Sequence, residues 1–202
     1  MSQSTASEPT HLRSRQINIA LYLVVAFLFW FSLFLYVPTL PTYIQSKTGS
    51  LYLVGIVLST YGFWQAIVRL PLGIMADWSG RRKPFILTGL VFAGLGAWLM
   101  GTAAGPAGLV AGRSITGFAA AAWVPLLVAF NSLFPPREIV RATIILTICL
   151  SLSRLLATSL TGPLNEVGGY TLPFFLATGV AGLATVFLIP TREKKRPPER
   201  PS

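Results

Sequence analysis

GIMADWSGRRKP, from Gly73 to Pro84, joins two long apolar stretches, and its reading decides how the rest of the chain is understood. Upstream, Leu51 to Ala76 carries one ionisable residue, Arg69; downstream, Pro84 to Thr102 carries none. Between them Asp77, Arg81, Arg82 and Lys83 crowd into a short joint. Each flanking stretch is long enough to cross a hydrocarbon core of roughly 30 Å, so the joint reads as a loop at headgroup level between two membrane spans. Gly73 allows two backbones to approach closely. Asp77 sits where a helix should end, within reach of backbone amides or an arginine, and Gly80 permits the tight reversal before Arg81 and Arg82. Such a joint is either a turn carrying topology charges or a latch whose charge-assisted bonds form in one conformation and break in another.

The whole chain supports the membrane reading. It has 202 residues, of which 53% are hydrophobic and only 11% charged, too apolar for an ordinary water-soluble domain. Six spans are expected: Ile17 to Val37, Leu51 to Ala76, Pro84 to Thr102, Gly108 to Phe134, Val140 to Gly162 and Tyr170 to Pro190. Lipid offers no hydrogen-bond partner, so spans of this length must be helices and the class is all-α. Three regions result: an amino-terminal segment 1–16 that includes His11, a six-helix transmembrane bundle 17–190, and a basic, proline-rich tail 191–202 expected to be disordered. The first apolar run is followed by Pro38 and Pro41 rather than by a small-residue cleavage site, and reads as a retained helix. A net charge of +10 would suggest nucleic acid in a soluble chain, but here the bases lie between apolar runs and point to topology instead.

Lysine and arginine set the expected orientation. Arg13 and Arg15, then Arg81, Arg82 and Lys83, then Arg137 and Arg141, then Arg192, Lys194, Lys195, Arg196 and Arg200 all fall on one side of a six-span path. The connections on the other side hold only Lys47, so both termini are expected in the cytoplasm of a multi-pass protein of the plasma or inner membrane.

Gly73, Asp77, Gly80, Arg81 and Arg82 resemble the cytoplasmic loop signature of the major facilitator superfamily: a glycine, an aspartate four residues on, then a glycine followed by bases. RSITGFAAA in the fourth span, with Arg113, Gly117 and Ala119 to Ala121, is similar to that family's arginine and glycine signature, with Thr116 where glutamine is usual. TGPLNEVGGY, Thr161 to Tyr170, resembles the Gly-Pro then Gly-Gly close of the fifth helix. Its wider spacing between Gly162–Pro163 and Gly168–Gly169 than in the antiporter version means that no antiport direction follows. An internal echo agrees: Gly73 precedes Asp77 by four and Gly162 precedes Glu166 by four, three spans apart, as two inverted three-helix repeats would require.

The resemblance implies half of a major facilitator fold. Two six-helix bundles would hold a small solute between them and rock about it, with the third and sixth helices outside and the first and fourth lining the cavity. This chain would supply one bundle, the other being a separate chain or a second copy. It ends where a linker would begin, so it reads as a truncated frame, a split product or a dimerising half.

Three arginines, Arg69, Arg113 and Arg154, lie within spans without an acid beside them, and charge at that depth must face the bundle interior or water. Arg113 shares a helix face with Gly117 and Ala121. The resemblance implies a coupling or substrate role for it, the alternative being a bond to backbone carbonyls. Arg154 belongs to a stripe of Thr143, Thr147, Ser151, Thr158 and Thr161, which either lines a water path or makes interhelical hydrogen bonds. Arg69 is close enough to the cytoplasm to snorkel. Gly55, Ser59, Gly62, Ala66 and Gly73 form a small-residue stripe suited to close helix packing, and Tyr22, Phe27, Phe29, Trp30 and Phe31 leave cavity lining and packing equally open. The arginines are compatible with an anionic substrate, or with carboxylates of the missing half. Cys149 is the single cysteine, no metal-ligand cluster or catalytic constellation is present, and no cofactor is called for. Transport by a secondary carrier is the expectation. A non-transporting scaffold or regulator of a full-length relative is the alternative.

Overall fold

The computed structural model describes residues 8–191 and 193, with side chains from 15 onward; His11, Arg13 and the tail bases Arg192, Lys194, Lys195, Arg196 and Arg200 have side chains outside the described residues. All regular structure among the described residues is helical: α1 (Glu8–Phe34), α2 (Leu40–Thr48), α3 (Leu51–Trp78), α4 (Lys83–Thr102), α5 (Pro106–Ala121), α6 (Trp123–Asn131), α7 (Ile139–Gly168) and α8 (Leu172–Leu188), with a single 3-10 turn at Pro136–Glu138. Five stretches are long and apolar enough to cross a membrane: Arg15–Phe34, Leu51–Trp78, Lys83–Thr102, Pro106–Asn131 and Pro136–Gly168. At 17 residues, or about 26 Å, α8 is shorter.

Local chemistry explains where the helices depart from the expected boundaries. α1 starts upstream of Ile17, so part of the segment 1–16 is helical. Beyond Pro38 the chain turns into α2, a short helix absent from the sequence reading, with Pro41 in its first turn and Gly49 in the left-handed region (φ 67°) closing it. Ser50 then caps α3 by accepting from the Leu53 amide at 3.4 Å. The expected fourth span is two helices joined at Ala122: Pro125 has no N–H to give the Ala121 carbonyl, and α5 ends there. α7 runs on past Gly162 to Gly168, and Gly169 (φ 66°) stops it.

Three kinds of close contact set the packing. Cys149, Ser153 and Thr161 of α7 donate to the carbonyls of Leu23, Phe27 and Leu35, on and just beyond α1, at 3.6, 2.6 and 2.7 Å. Donor and acceptor are 126 residues apart each time, so α1 and α7 run parallel in one register. α4 meets α5 through glycine: a Cβ on Gly96 would stand 2.8 Å from the Gly112 carbonyl oxygen, and a Cβ on Gly112 2.8 Å from that of Gly96. Gly89 faces Ala122 further along, which makes this pair antiparallel. α8 lies antiparallel to α4, with Thr178 donating to the Gly94 carbonyl at 3.2 Å and Phe174 against Gly101. It is also antiparallel to α1: Tyr36, just beyond the end of α1, stacks on Phe174 at 4.6 Å, while Tyr22 on α1 lies beside Thr191, past the other end of α8. Gly117 of α5 faces Tyr61 and Trp64 of α3, and Val124 of α6 faces Gly73, so these run parallel. Thus α1, α4 and α7 point one way and α3, α5–α6 and α8 the other.

The small-residue stripe of α3 does not pack within the chain as the sequence suggested. Gly55, Ser59, Gly62 and Ala66 are exposed, and nothing lies within 4 Å of a Cβ placed at Gly55 or Gly62; only Gly73 meets a neighbour, Val124 at 3.7 Å. α3 and α7 each leave apolar side chains bare, Phe63 and Ile67 on the first and Ile148 and Leu155 on the second. We predict that Gly96→Val or Gly112→Val, which overpacks the α4–α5 contact, costs about 1–3 kcal/mol. Gly62→Ala should be neutral, or stabilising by about 0.5–1 kcal/mol. Thermal unfolding of the detergent-solubilised chain, followed by circular dichroism, separates the two classes.

Candidate functional site

Two constellations emerge, one at the end of the bundle where α3 hands over to α4, the other in its interior. At the first, Gly80 (φ 61°) makes the reversal, and the Arg82 guanidinium swings back to donate to Asp77 Oδ1 at 3.0 Å. Asp77 therefore holds an arginine, one of the two partners its position allowed. Arg82 is buried, while the Asp77 side chain is 59% exposed. Ser79 accepts from the Arg81 amide at 3.3 Å, and the Arg81 side chain is exposed.

The exit of α8 locks onto this joint. Glu193 accepts from the Arg82 and Lys83 amides, the latter at 3.1 Å, filling the unpaired N–H positions where α4 begins. Lys83 returns the favour: its ammonium donates to the Ile189 and Thr191 carbonyls at 2.6 and 2.8 Å, beyond the end of α8. An anion thus sits at a helix N-terminus and a cation at a C-terminus, each favoured by the local dipole. Arg15 makes a third tie at the same end, donating to the Leu133 carbonyl at 2.8 Å, pairing with Glu138 at 3.5 Å and lying over Phe134. Sequence reading missed these partners: Glu193 is 111 residues from Arg82, and an acid amid tail bases looks like a solvated charge.

In the interior, Gly117 lets α3 approach α5 so closely that a Cβ there would stand 2.6 Å from the Tyr61 carbonyl oxygen. This brings the Tyr61 ring under Arg113, whose guanidinium carbon lies 4.2 Å from the ring centroid. The α1–α7 register does the same for Arg154, which lies 4.2 Å from the Trp30 ring and 4.6 Å from that of Phe34. Trp30 in turn meets Trp123 edge-on at 5.4 Å. Arg113 Nε and Nη1, Arg154 Nε and Trp30 Nε1 are buried without a close hydrogen bond, and the Tyr36 hydroxyl, likewise buried, interacts with the Arg113 and Thr116 side chains only at longer range. Arg113 does not bond a backbone carbonyl through these atoms. Arg69 is exposed on α3.

The α7 stripe divides. Thr143 accepts from Asn131 Nδ2 at 3.2 Å and Thr161 reaches α1's carbonyls, whereas Thr147 and Thr158 bond back to their own helix. The other interhelical donors, Cys149 and Ser153, lie on the adjacent face and share its four-residue spacing with Thr161, a pattern present in the sequence but not singled out. Gly162 and Pro163 are exposed and inside α7 rather than at its end; the chain reverses at Gly168–Gly169, where the Gly169 amide donates to the Asn165 carbonyl at 2.9 Å.

Comparison with known proteins gives a consistent picture. The family model described as Major Facilitator Superfamily matches residues 22–202. The inner membrane transport protein YajR of Escherichia coli K12 is 34% identical over 91 residues, 45% of this chain and 20% of that protein. An uncharacterized transporter from the Baizongia pistaciae subspecies of Buchnera aphidicola is 27% identical over 147 residues, 72% of this chain and 37% of that one. One from the Schizaphis graminum subspecies is 24% identical over 185 residues, 89% and 47% respectively. Among solved structures, a peptide transporter POT in complex with sulfate superposes with a TM-score of 0.76 at 19% identity, covering 88% of this chain and 38% of that one. The POT family transporter PepTSo does so with 0.76 at 17%, covering 94% and 40%. The chain spans less than half the length of these relatives.

Glu193→Ala should leave the first amides of α4 uncapped at a cost of about 1 kcal/mol. That corresponds to roughly fivefold faster hydrogen exchange at Arg82 and Lys83. Exchange mass spectrometry on the folded chain reads this directly, with α5 amides as the unaffected reference.

Proposed function

Because this chain belongs to the Major Facilitator Superfamily, we propose that it forms one six-helix bundle of a secondary transporter, which moves a small solute across a lipid bilayer by alternating access against a second six-helix bundle. The observation that carries the proposal is the apolar side chains left bare on α3 and α7, next to matches that span under half the length of the relatives. An apolar face can contact lipid, but exposed Gly55 and Gly62 give close backbone approach that lipid does not need. A second bundle with its own paired helices would use it.

The helix directions support a sixth span at α8 and an internal inverted repeat. Exchanging α1, α3, α4 for α5–α6, α7, α8 turns the α1–α7 contact into α5–α3 and the α1–α8 contact into α5–α4, and leaves α4–α8 unchanged. Opposed directions of the two triplets fit the same exchange. By the positive-inside rule the end carrying Arg15, Arg82 and Lys83 is cytoplasmic. There Gly73, Asp77, Gly80, Arg81 and Arg82 act as a gating joint, whose Arg82–Asp77 ion pair, with the carboxylate side chain 59% exposed, is released and remade in each cycle. No chemical step belongs to this reading, and no cofactor.

Proteoliposomes containing the chain alone should show no solute flux, and those containing it with a second bundle should show it; absence of flux in every combination would leave the scaffold reading. Gly62→Trp should abolish co-purification with the second bundle while leaving the chain's own unfolding temperature within about 2 °C, since ordinary surface substitutions change stability little.

A further inference from the structure

The interior arginines have no anionic partner among the described residues. A guanidinium and an indole N–H donate and never accept. Arg113 Nε and Nη1, Arg154 Nε and Trp30 Nε1 nevertheless have no close acceptor, Arg113 has only the neutral Tyr36 hydroxyl beside it, and Arg113 as a whole is only 7% exposed. Asp77, Glu138, Glu166 and Glu193, the acids with described side chains, all lie at helix ends or beyond them. Burying unpaired charged donors is strongly unfavourable, so the interior is short of an anion.

The rings dictate how an anion would sit. The Arg113 guanidinium lies over the Tyr61 ring, and that of Arg154 lies over the Trp30 and Phe34 rings. A stacked guanidinium keeps its edge, the planar fork of N–H groups, free for a bidentate carboxylate. Tyr61 is within electrostatic reach of Arg113, Arg154 and Arg69, so these charges act on one neighbourhood. The surrounding wall is aromatic, with Trp123 against Trp30. A polyol would find few acceptors in such a wall, and a cation would be repelled by the two guanidinium charges.

We infer that Arg113 and Arg154 form the substrate site of the proposed carrier, and that it takes a small organic anion: a carboxylate at the guanidinium edges with an apolar or aromatic body against the rings. This rests on the transporter reading above and adds the substrate class. The same chemistry could be met by a carboxylate side chain of the second bundle, and the test separates the two sources.

The full chain in nanodiscs is titrated with benzoate, with benzylamine and benzyl alcohol as cationic and neutral counterparts, following tryptophan fluorescence and unfolding temperature. Benzoate alone should bind and stabilise. Arg113→Gln and Arg154→Gln should weaken it at least tenfold, Arg113→Lys and Arg154→Lys should weaken it less, and Arg137→Gln, in the exposed turn, should leave it unchanged. If the glutamine variants do not fold, the lysine variants and the wild-type selectivity decide. Equal response to all three probes, or none, overturns the inference. So does arginine-dependent co-purification with the second bundle without benzoate binding, which would identify the anion as a protein carboxylate. Flux of benzylamine that survives both glutamine variants would leave the transporter reading intact and remove this one; benzoate binding without flux in any assembly would do the reverse.

Discussion

The hydrogen bonds from Cys149, Ser153 and Thr161 to carbonyls along α1 are the constraint from which much of the interior follows. In an apolar medium a helix gains little from burying apolar side chains against another helix, and neighbours are held instead by close packing and by polar groups that reach across. A small side chain on α7 every four residues, or at a multiple of four, finds a carbonyl on α1 at the same interval. One register results, because sliding either helix by a single residue would turn the donors away from the carbonyls. Arg154, next to Ser153, is delivered to the Trp30 and Phe34 rings by that register.

Glycine does the corresponding work on the other side. Gly96 and Gly112 bring α4 and α5 into backbone contact, and Gly117 brings α3 onto α5 so that Tyr61 lies beneath Arg113. Where glycine has no neighbour, at Gly55 and Gly62, the helix is bare. The same residue type therefore marks both a finished contact and an unmade one, and burial alone tells them apart. At the basic end, Glu193 and Lys83 cap each other's helices, so the joint that reverses the chain after α3 is also clamped to the exit of α8.

Particular residues show how far a one-dimensional reading reaches. Asp77, Gly80 and Arg82 were legible because the turn and the ion pair are local, five residues from acid to base. Arg113 and Arg154 were legible as charges in apolar runs, but their ring partners were not: Tyr61 and Trp30 lie 52 and 124 residues away, with no spacing to betray them. Gly162–Pro163 was misplaced because proline is a good predictor of helix ends, yet α7 continues through it for another turn. The break at Ala122 was missed for the opposite reason, since the apolar run through Pro125 is continuous. α2 escaped notice because a helix of nine residues leaves little periodic pattern.

What the sequence by itself determined is the solvent, the helical class, the positions of most spans, the sidedness to be expected and the family, because hydropathy, charge placement and turn glycines act within a few residues of where they are written. Tertiary structure alone decided which helices run side by side, which arginine meets which ring, which small-residue stripe is covered and which acid caps which helix. Those outcomes depend on groups far apart in the sequence being brought together at once, and their physical cause is the register imposed by interhelical hydrogen bonds and glycine contacts.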